Sequence, residues 1–315
     1  MDKTKLIVIQ GPTAAGKSAL AMELSERFGG EIISADSMQV YRYMDIGTAK
    51  PSLEDRKRVR HHLIDIIAPD EGYTAARYCI DAAAAVVEIS GRKKIPIVAG
   101  GTGLYIKALT GGLFEGPGAD AGIRDRLLTE AREAGAIVLH QRLNSVDPEA
   151  GAKIHPNNVR RVIRALEVYL TYKRPISELQ NEHGFNETPY DALKICLTKE
   201  RSELYSAIDS RVDAMIEAGF VAEVRGLHEA GYSFDLKSMR GLGYKEMGLF
   251  LSGASGFAEA VGLLKRNTRH YAKRQLTWFK KDRGCPPTPE RGNDKWFYPG
   301  MKSDIIALVK GHLNI

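Results

Sequence analysis

The chain of 315 residues has 43% hydrophobic and 27% charged residues, values that are ordinary for a globular protein. No apolar run approaches the ~20 residues that cross a bilayer, and the N-terminal segment lacks the features of a signal peptide, so we expect a cytoplasmic protein without membrane contact. Three widely spaced cysteines exclude a disulfide framework and a cysteine-based zinc site, so reduced thiols are expected.

The net charge of +6 and the pI of about 9.0 come from a basic excess that is concentrated in a few segments. In the longest of these, LKRNTRHYAKRQLTWFKKDR (264–283), Lys and Arg alternate with aromatic residues. Clustered cations and rings favour binding of a phosphate backbone and unstacked bases. Solvated helix faces are the alternative explanation.

The first hundred residues alternate apolar strands with helical patterns. Buried strands are predicted over KLIVIQG, EIISAD, HLIDII and IPIVAG. Helices are predicted over GKSALAMELSERFG, which ends at a Gly29–Gly30 cap, and over TAARYCIDAAAAVVEISGRK. This alternation predicts a parallel sheet with helices on both faces.

The pattern changes at LFEGPGADAG (113–122), becomes helical from 123 to about 182, and returns to a strand at 193–197. The rest of the chain, as far as Trp278, is mostly helical in pattern. We therefore predict an α/β fold, a P-loop NTPase-like parallel sheet flanked by helices, with a helical insertion domain. The predicted core comprises residues 1–114 and 193–315, and the insertion comprises 115–192.

The segment GPTAAGKS fits the phosphate-loop pattern G-x-x-x-x-G-K-S and lies between a predicted strand and a predicted helix. Its glycines let successive backbone N–H groups face an anion at a helix N-terminus. The lysine adds a point charge, and the serine hydroxyl can bind Mg²⁺. The loop indicates a diphosphate but does not identify the ligand.

The residues expected to face the loop follow the second and fourth predicted strands, because ligands of open parallel sheets lie beyond the carboxyl ends of the strands. Asp36 follows the second strand and can bind Mg²⁺, act as a general base or cap its own turn. Thr102 lies in the turn GGTGLY, which can also be purely structural. Gln39 has the donor and acceptor needed to bond an adenine edge.

Seven segments together resemble the bacterial tRNA dimethylallyltransferases: GPTAAGKS, ADSMQVYRYMDIGTAKP, VAGGTGLY, RRVIRALEVY, RVDAMIEAGFVAEVRGL, RGLGYKE and RQLTWFKK. They occur in the family's order from about Leu6 to Lys281, and the long second segment is the most specific. Ala15 stands where the family often has Ser, and the zinc finger of many eukaryotic relatives is not found, so the chain resembles the short bacterial form.

The resemblance implies Mg²⁺-assisted transfer of a dimethylallyl group from dimethylallyl diphosphate to N6 of the adenine on the 3′ side of the anticodon, with release of diphosphate. It implies that the enzyme binds the anticodon stem-loop of tRNA; a monomer is expected. Asp36 is implied as the general base, with Thr102, Lys17 and Arg211 as the other catalytic residues.

The implied binding residues fall into three sets. The diphosphate set is the loop itself: Gly11, Pro12, Thr13, Ala14, Ala15, Gly16, Lys17 and Ser18, with Ser18 also the ligand of Mg²⁺. The tRNA set near the base is Asp36, Ser37, Met38, Gln39 and Thr102. The tRNA set for the backbone is Arg124, Arg160, Arg161, Arg164, Gly241, Gly243, Tyr244 and Lys245.

Three other functions remain open on the residues alone. A phosphate-loop small-molecule kinase using ATP explains the loop and Asp36, but it leaves the basic insertion unexplained. A nucleotide-dependent RNA-binding switch requires hydrolysis without a change in the RNA. A prenyltransferase acting on free nucleotides needs no RNA-binding insertion.

Overall fold

The computed structural model describes residues 3–113, 118, 120–183, 189–282, 284, 296–298 and 300–315. The chain divides into two compact units, which we call the core unit (Met1–Thr110 with Pro189–Ile315) and the insertion unit (Gly111–Thr188). These boundaries lie four residues before the ones predicted at 114/115 and 192/193.

The core unit contains a six-stranded parallel sheet in the order β3-β2-β4-β1-β5-β6. Its strands are β1 (Thr4–Gln10), β2 (Gly30–Ser34), β3 (His61–His62), β4 (Ile95–Gly100), β5 (Tyr190–Leu197) and β6 (Trp296–Phe297). Strand β1 pairs with β4 on one side and with β5 on the other. The phosphate loop therefore follows an interior strand of the sheet.

Helices cover both faces of this sheet. They are α1 (Lys17–Phe28), α2 (Leu53–Arg58), α3 (Ala75–Gly91), α4 (Gly103–Gly111), α10 (Arg201–Glu217), α11 (Phe220–Glu229), α12 (Tyr244–Leu251), α13 (Phe257–Lys280) and α14 (Lys302–Leu313). Leu6 and Val8 of β1 pack into one apolar cluster, whereas Ile7 and Ile9 pack into the other. This alternation is why the strand sequences are apolar throughout.

The predicted strand HLIDII was too long. Only His61 and His62 form β3, because Leu63 (φ 61°) and Asp65 (φ 58°) adopt left-handed backbone conformations that a strand does not contain. Ile67 instead forms an isolated parallel bridge with Tyr41. In contrast, β5 begins at Tyr190, three residues before the predicted start at Leu193, because Tyr190 already pairs with Thr4 of β1.

The insertion unit is helical, with α5 (Ala121–Glu133), α6 (Ala136–Val146), α7 (Pro148–Lys153), α8 (Val159–Tyr172) and α9 (Ile176–His183). It has its own apolar cluster, which includes Leu127, Leu139, Leu143 and Leu166. Buried Asp147 caps α7 through the N–H of Ala150 and accepts two hydrogen bonds from Ser177. These contacts tie α9 to the end of α6.

The expectation of reduced thiols was only partly correct. Cys79 is free, but Cys196 at the buried end of β5 is disulfide-bonded. Sequence spacing could not show this, because the fold determines which cysteines meet. Among the described helices, none combines the length and the apolar character that crossing a bilayer requires.

Candidate active site

The phosphate loop has the backbone geometry that its glycines predict. Gly11 (φ 150°) lies against β5, where an added Cβ would be 2.0 Å from the carbonyl oxygen of Leu197. Gly16 (φ 97°) is the N-cap of α1 and has no side-chain cap, so the first N–H groups of the helix remain available to an anion. Only a residue without a side chain fits both places.

Lys17 bends back over this loop, and its Nζ donates to the carbonyl oxygen of Pro12 at 2.7 Å. Burial and, to a smaller extent, the nearby Arg211 guanidinium lower the pKa of Lys17, Asp36 acts in the opposite direction, and the net pKa is about 7. An anion in the loop would supply the counter-charge that the amine needs.

Arg211 of α10 reaches the same loop from another part of the core unit. Its Nη1 donates to Oγ1 of Thr13 at 3.2 Å, so its hydrogen-bond partner is the phosphate loop and not its own helix. Burial lowers the pKa of Arg211, whereas Asp36 raises it. Arg211 is therefore directed to the phosphate loop and does not form an ordinary ion pair along its own helix surface.

The ends of β2 and β4 bring Asp36 and Thr102 together. Oγ1 of Thr102 accepts from the N–H of Ser37 at 3.0 Å, and the N–H of Thr102 donates to Ala35. Oδ1 of Asp36 accepts from the N–H of Met38 at 2.8 Å. Asp36 thus caps its own turn, as one alternative held, but a carboxyl group has further acceptor positions for chemistry.

Asp36 and the phosphate loop share a cavity of about 330 Å³. Its polar side is formed by Thr13, Asp36, Ser37, Arg211, Thr268, Tyr271 and Arg274. Its apolar side is formed by Met38, Ile208, Val212, Met215, Phe220, Leu242 and Leu264. A cavity lined by both charged and apolar side chains suits a ligand that has a phosphate group and a short hydrocarbon group.

Three residues of α13 belong to this site and were missed in the sequence. Tyr271 and Arg274 line the cavity, and burial raises the pKa of Tyr271, with Asp36 adding to the rise. The buried Gln275 accepts from the N–H of Thr13 at 2.8 Å and donates to the carbonyl oxygen of Gly101 at 2.9 Å. The basic composition of this segment was visible, but the helix face that meets the loop was not.

Two residues predicted to contact tRNA have other surroundings. The amide of Gln39 accepts from Ser34 and donates to the carbonyl oxygens of Thr48 and Ala49, so it braces the turn instead of facing the cavity. Tyr244 has no exposed surface, and its hydroxyl donates to Glu223. The structure gives both side chains partners within the protein, which the linear pattern does not reveal, and their contact with tRNA stays a prediction.

The other predicted tRNA contacts near Gln39 and Tyr244 differ in their exposure. Ser37, Met38 and Gly243 line the cavity, and Lys245 is exposed. Gly241 lies against Met38, where an added Cβ would be 2.4 Å from the terminal methyl carbon. This close approach keeps Met38 in the wall of the cavity.

The four arginines of the insertion unit that were predicted to contact tRNA fall into two pairs. Arg124 and Arg164 both bind Glu167, whose side chain is fully buried, at 2.9 and 2.8 Å. Arg160 and Arg161 at the start of α8 are exposed and have no ion-pair partner within the described part of the chain. Arg124 and Arg164 are thus engaged in ion pairs with Glu167, whereas Arg160 and Arg161 are available to bind an anion.

The residues present are compatible with Mg²⁺. Ser18 at the start of α1 is exposed, and no group of three or more His, Cys, Asp or Glu residues able to hold a metal occurs in the described parts of the chain. Mg²⁺ commonly has only one or two protein ligands and takes its other oxygens from phosphates and water. Ser18 beside the loop meets this requirement.

A parallel sheet with a glycine-rich loop between an interior strand and a helix defines the class of phosphate-loop α/β proteins. Within this class the chain belongs to the IPP transferase family, whose model matches residues 39–282. The resemblance seen in the sequence and the predicted fold class are thereby confirmed.

The individual relatives agree with this assignment. A tRNA dimethylallyltransferase 2 of Geotalea uraniireducens is 57% identical, with 89% of this chain and 91% of the relative covered. A tRNA dimethylallyltransferase of Geobacter metallireducens is 50% identical, with 98% of each chain covered.

Solved structures agree as well. The tRNA isopentenylpyrophosphate transferase of Bacillus halodurans has a TM-score of 0.71 and 41% identity, covering 99% of this chain and 97% of its own. A eukaryotic dimethylallyltransferase described as acting on tRNA has a TM-score of 0.75 and 32% identity, covering 88% of this chain and 70% of its own. These likenesses support a prenyltransferase over a small-molecule kinase.

Proposed function

We propose that the chain is a tRNA dimethylallyltransferase. It transfers the dimethylallyl group of dimethylallyl diphosphate to N6 of the adenine on the 3′ side of the anticodon and releases diphosphate. The observation that supports this best is the single cavity shared by the phosphate loop, Asp36 and an apolar wall. A diphosphate in the loop leaves the five-carbon group beside the wall and the acceptor amine beside the carboxyl group.

The catalytic demand in this reaction falls on the leaving group. As the allylic C–O bond breaks, negative charge grows on the diphosphate and a delocalised cation-like centre forms on carbon. In our proposal the N–H groups of the loop, Lys17 and Arg211 stabilise that negative charge; in support, Lys17 and Arg211 each donate a hydrogen bond to a residue of the loop. One preorganised donor of this kind lowers the activation barrier by roughly 3–4 kcal/mol.

The acceptor nitrogen loses a proton as its bond to carbon forms. In our proposal the Asp36 carboxylate takes that proton while its other oxygen keeps the N–H of Met38. A positioned base of this type accelerates the reaction roughly 10²–10⁴-fold. Thr102 fixes the backbone next to Asp36 through Ser37 and thereby orients the base.

Mg²⁺ bound near Ser18 would neutralise charge on the diphosphate. The adenine must leave its stack to reach the cavity, and Ser37 and Met38 are the proposed contacts for it. For the tRNA backbone we propose Lys245, Arg160 and Arg161, which are exposed, together with Arg274. We further propose that the enzyme works as a monomer in the cytoplasm.

The test is to incubate the protein with unmodified tRNA, Mg²⁺ and dimethylallyl diphosphate and to measure the digested nucleosides by mass spectrometry. We expect dimethylallyl adenosine, and none with a tRNA that carries guanine in place of that adenine. Absence of the product from the first tRNA contradicts the proposal.

Two further arms separate the alternatives. Prenylation of free AMP at a rate similar to that of tRNA would indicate a free-nucleotide prenyltransferase. Acceptor-dependent formation of ADP from ATP would indicate a kinase, and hydrolysis of ATP without change in the tRNA would indicate an RNA-binding switch.

A further inference from the structure

One wall of the active-site cavity is formed by a segment with no helix or strand. Gly47 and Thr48 line the same cavity as Asp36, and residues 42–50 around them are turns and irregular backbone. An irregular wall does not have the hydrogen-bond ladder that fixes a strand, so its position depends on contacts from other elements.

Gln39 holds the carbonyl oxygens of Thr48 and Ala49, and the contacts to the preceding three backbone N–H groups converge on one side chain, Glu223 of α11. Its Oε2 accepts from the N–H groups of Asp45 at 2.9 Å and Ile46 at 2.6 Å. Its Oε1 accepts from the N–H of Gly47 at 3.1 Å and from the hydroxyl of Tyr244 at 2.6 Å. Three consecutive backbone N–H groups and one hydroxyl therefore share a single carboxyl group, which uses its full capacity as an acceptor.

Packing reinforces the same attachment. Gly47 lies against the rings of Phe220 and Tyr244, where an added Cβ would be 2.2 Å from the first and 2.7 Å from the second. The two rings pack edge to face with centroids 5.1 Å apart. The absence of a side chain at Gly47 lets the wall come close enough for Glu223 to reach three N–H groups.

The elements that hold the wall also contribute to the cavity itself. Phe220, at the start of α11, lines the cavity, and so does Gly243, which precedes Tyr244. A shift of Glu223 therefore moves Gly47 and Thr48 relative to the surface that faces Asp36. Glu223 itself does not line the cavity.

We propose that Glu223 is a positioning residue for the transfer reaction: it sets the distance between the 45–48 wall and Asp36, and so the placement of the reacting groups between them. This inference rests on the proposed function. The phosphate loop is not attached to Glu223, so loss of this carboxyl group affects the transfer step and leaves diphosphate binding unchanged.

The experiment compares Glu223→Gln, Glu223→Ala and Tyr244→Phe with the wild type. Glu229→Gln is the matched control, because Glu229 is exposed on the same helix and undergoes the same substitution. For each protein, kcat and KM of prenyl transfer to tRNA are measured, together with the Kd of inorganic diphosphate and the exchange rates of the Asp45, Ile46 and Gly47 amide protons.

We expect Glu223→Ala to lower kcat about 10²-fold, the loss that a misplacement near 1 Å produces. Glu223→Gln keeps one acceptor oxygen and should lie between Ala and the wild type, and Tyr244→Phe should show the smallest loss. Amide exchange at 45–47 should accelerate in the same order. The Kd of diphosphate should stay within about twofold in every variant, and Glu229→Gln should match the wild type.

Wild-type kcat in Glu223→Ala, or a loss of diphosphate affinity parallel to the loss of kcat, overturns the positioning role. If Glu223→Ala does not fold, the same two quantities, kcat and the Kd of diphosphate, decide the question in Glu223→Gln and Tyr244→Phe. The wild-type arm alone tests the proposed function, because a wild type without prenyl transfer contradicts that function whatever the variants do.

Discussion

At the scale of single residues, Asp36 combines two tasks in one carboxyl group. Its Oδ1 accepts the N–H of Met38, which shapes the turn, and the remaining acceptor positions are available to a substrate proton. An isosteric amide preserves the first task and removes the second. This difference makes the role of Asp36 testable without disturbing the turn.

We predict that Asp36→Asn retains tRNA affinity within about twofold and lowers single-turnover prenyl transfer by roughly 10²–10⁴-fold, because the turn persists but the base is lost. Filter binding and rapid-quench kinetics measure the two quantities. Asp70→Asn, at an exposed position, is the control and should behave as the wild type. Unchanged turnover in Asp36→Asn would exclude it as the base.

Lys17 gives a second prediction at this scale. Because its pKa is about 7 in the free protein, the amine is mostly neutral above that pH, and an anion in the loop restores its proton. Binding of inorganic diphosphate at pH near 8 should therefore take up as much as about one proton more in the wild type than in Lys17→Met. Calorimetry in buffers of different ionisation enthalpy measures this uptake, and equal values for the two proteins contradict it.

The same shift in pKa affects stability with a defined sign. Between about pH 7 and 10.5 the unfolded chain keeps a proton on Lys17 that the folded, ligand-free protein has lost. Stability therefore rises with pH over that range as far as this group is concerned. A lysine that destabilises the free protein but gains its charge with ligand present is typical of a binding site.

At the scale of elements, α13 links parts of the active site that are far apart in sequence. Gln275 joins it to the phosphate loop through Thr13 and to the turn after β4 through Gly101. Gly101 cannot carry a side chain, since an added Cβ would be 2.2 Å from Nε2 of Gln275. This explains one glycine of GGTGLY that the sequence alone assigned to a generic turn.

We expect Gln275→Ala to weaken binding of inorganic diphosphate about thirtyfold, because two buried hydrogen bonds that fix the loop are lost, at about 1 kcal/mol each. Calorimetric titration gives the affinity and thermal unfolding gives the stability. Gln141→Ala, the same substitution at an exposed position of α6, should change neither quantity. Wild-type diphosphate affinity in Gln275→Ala would show that the loop keeps its shape alone.

At the scale of the whole molecule, the sheet is assembled from distant parts of the chain. Strands β1 and β5 are neighbours although the whole insertion unit lies between them in sequence. The insertion unit brings its own apolar cluster and its own buried polar contacts. The chain thus keeps a continuous parallel sheet behind the phosphate loop while adding a helical unit.

The charge of the molecule gives a prediction at this scale. Arg161 is exposed, whereas Arg164 is committed to buried Glu167. Arg161→Ala should reduce the magnitude of the slope of log affinity for tRNA against log salt concentration by about 1, the value expected for one lost phosphate contact. Its thermal stability should not change. Arg164→Ala should instead lower thermal stability by about 1–3 kcal/mol, because Glu167 loses a partner while buried.

Filter binding over a series of salt concentrations, with calorimetric unfolding of both variants, separates these two roles. The same slope in Arg161→Ala and the wild type would mean that this part of α8 does not contact phosphate. The pair also tests a distinction that composition cannot make, since both arginines lie within the same basic segment.

The sequence by itself determined the class of the fold, the phosphate loop and the residues after β2. Each depends on local rules: alternation of apolar strands and helices, glycines at fixed backbone positions, and the direction in which parallel strands end. These rules act within a few residues, so a linear pattern carries them. They were sufficient to bring Gly11, Lys17, Asp36 and Thr102 into one site.

Only the tertiary structure decided which side chains face that site. Tyr244 points into the core, Gln39 braces a turn, and Arg124 and Arg164 neutralise a buried carboxylate, although each lies in a segment that suggested a ligand contact. Conversely, Gln275 and Glu223 support the site from helices whose segments resemble the family, but neither residue was predicted as part of the site. The physical reason is that the direction of a side chain depends on partners far away in sequence, and those partners are defined only when the chain has folded.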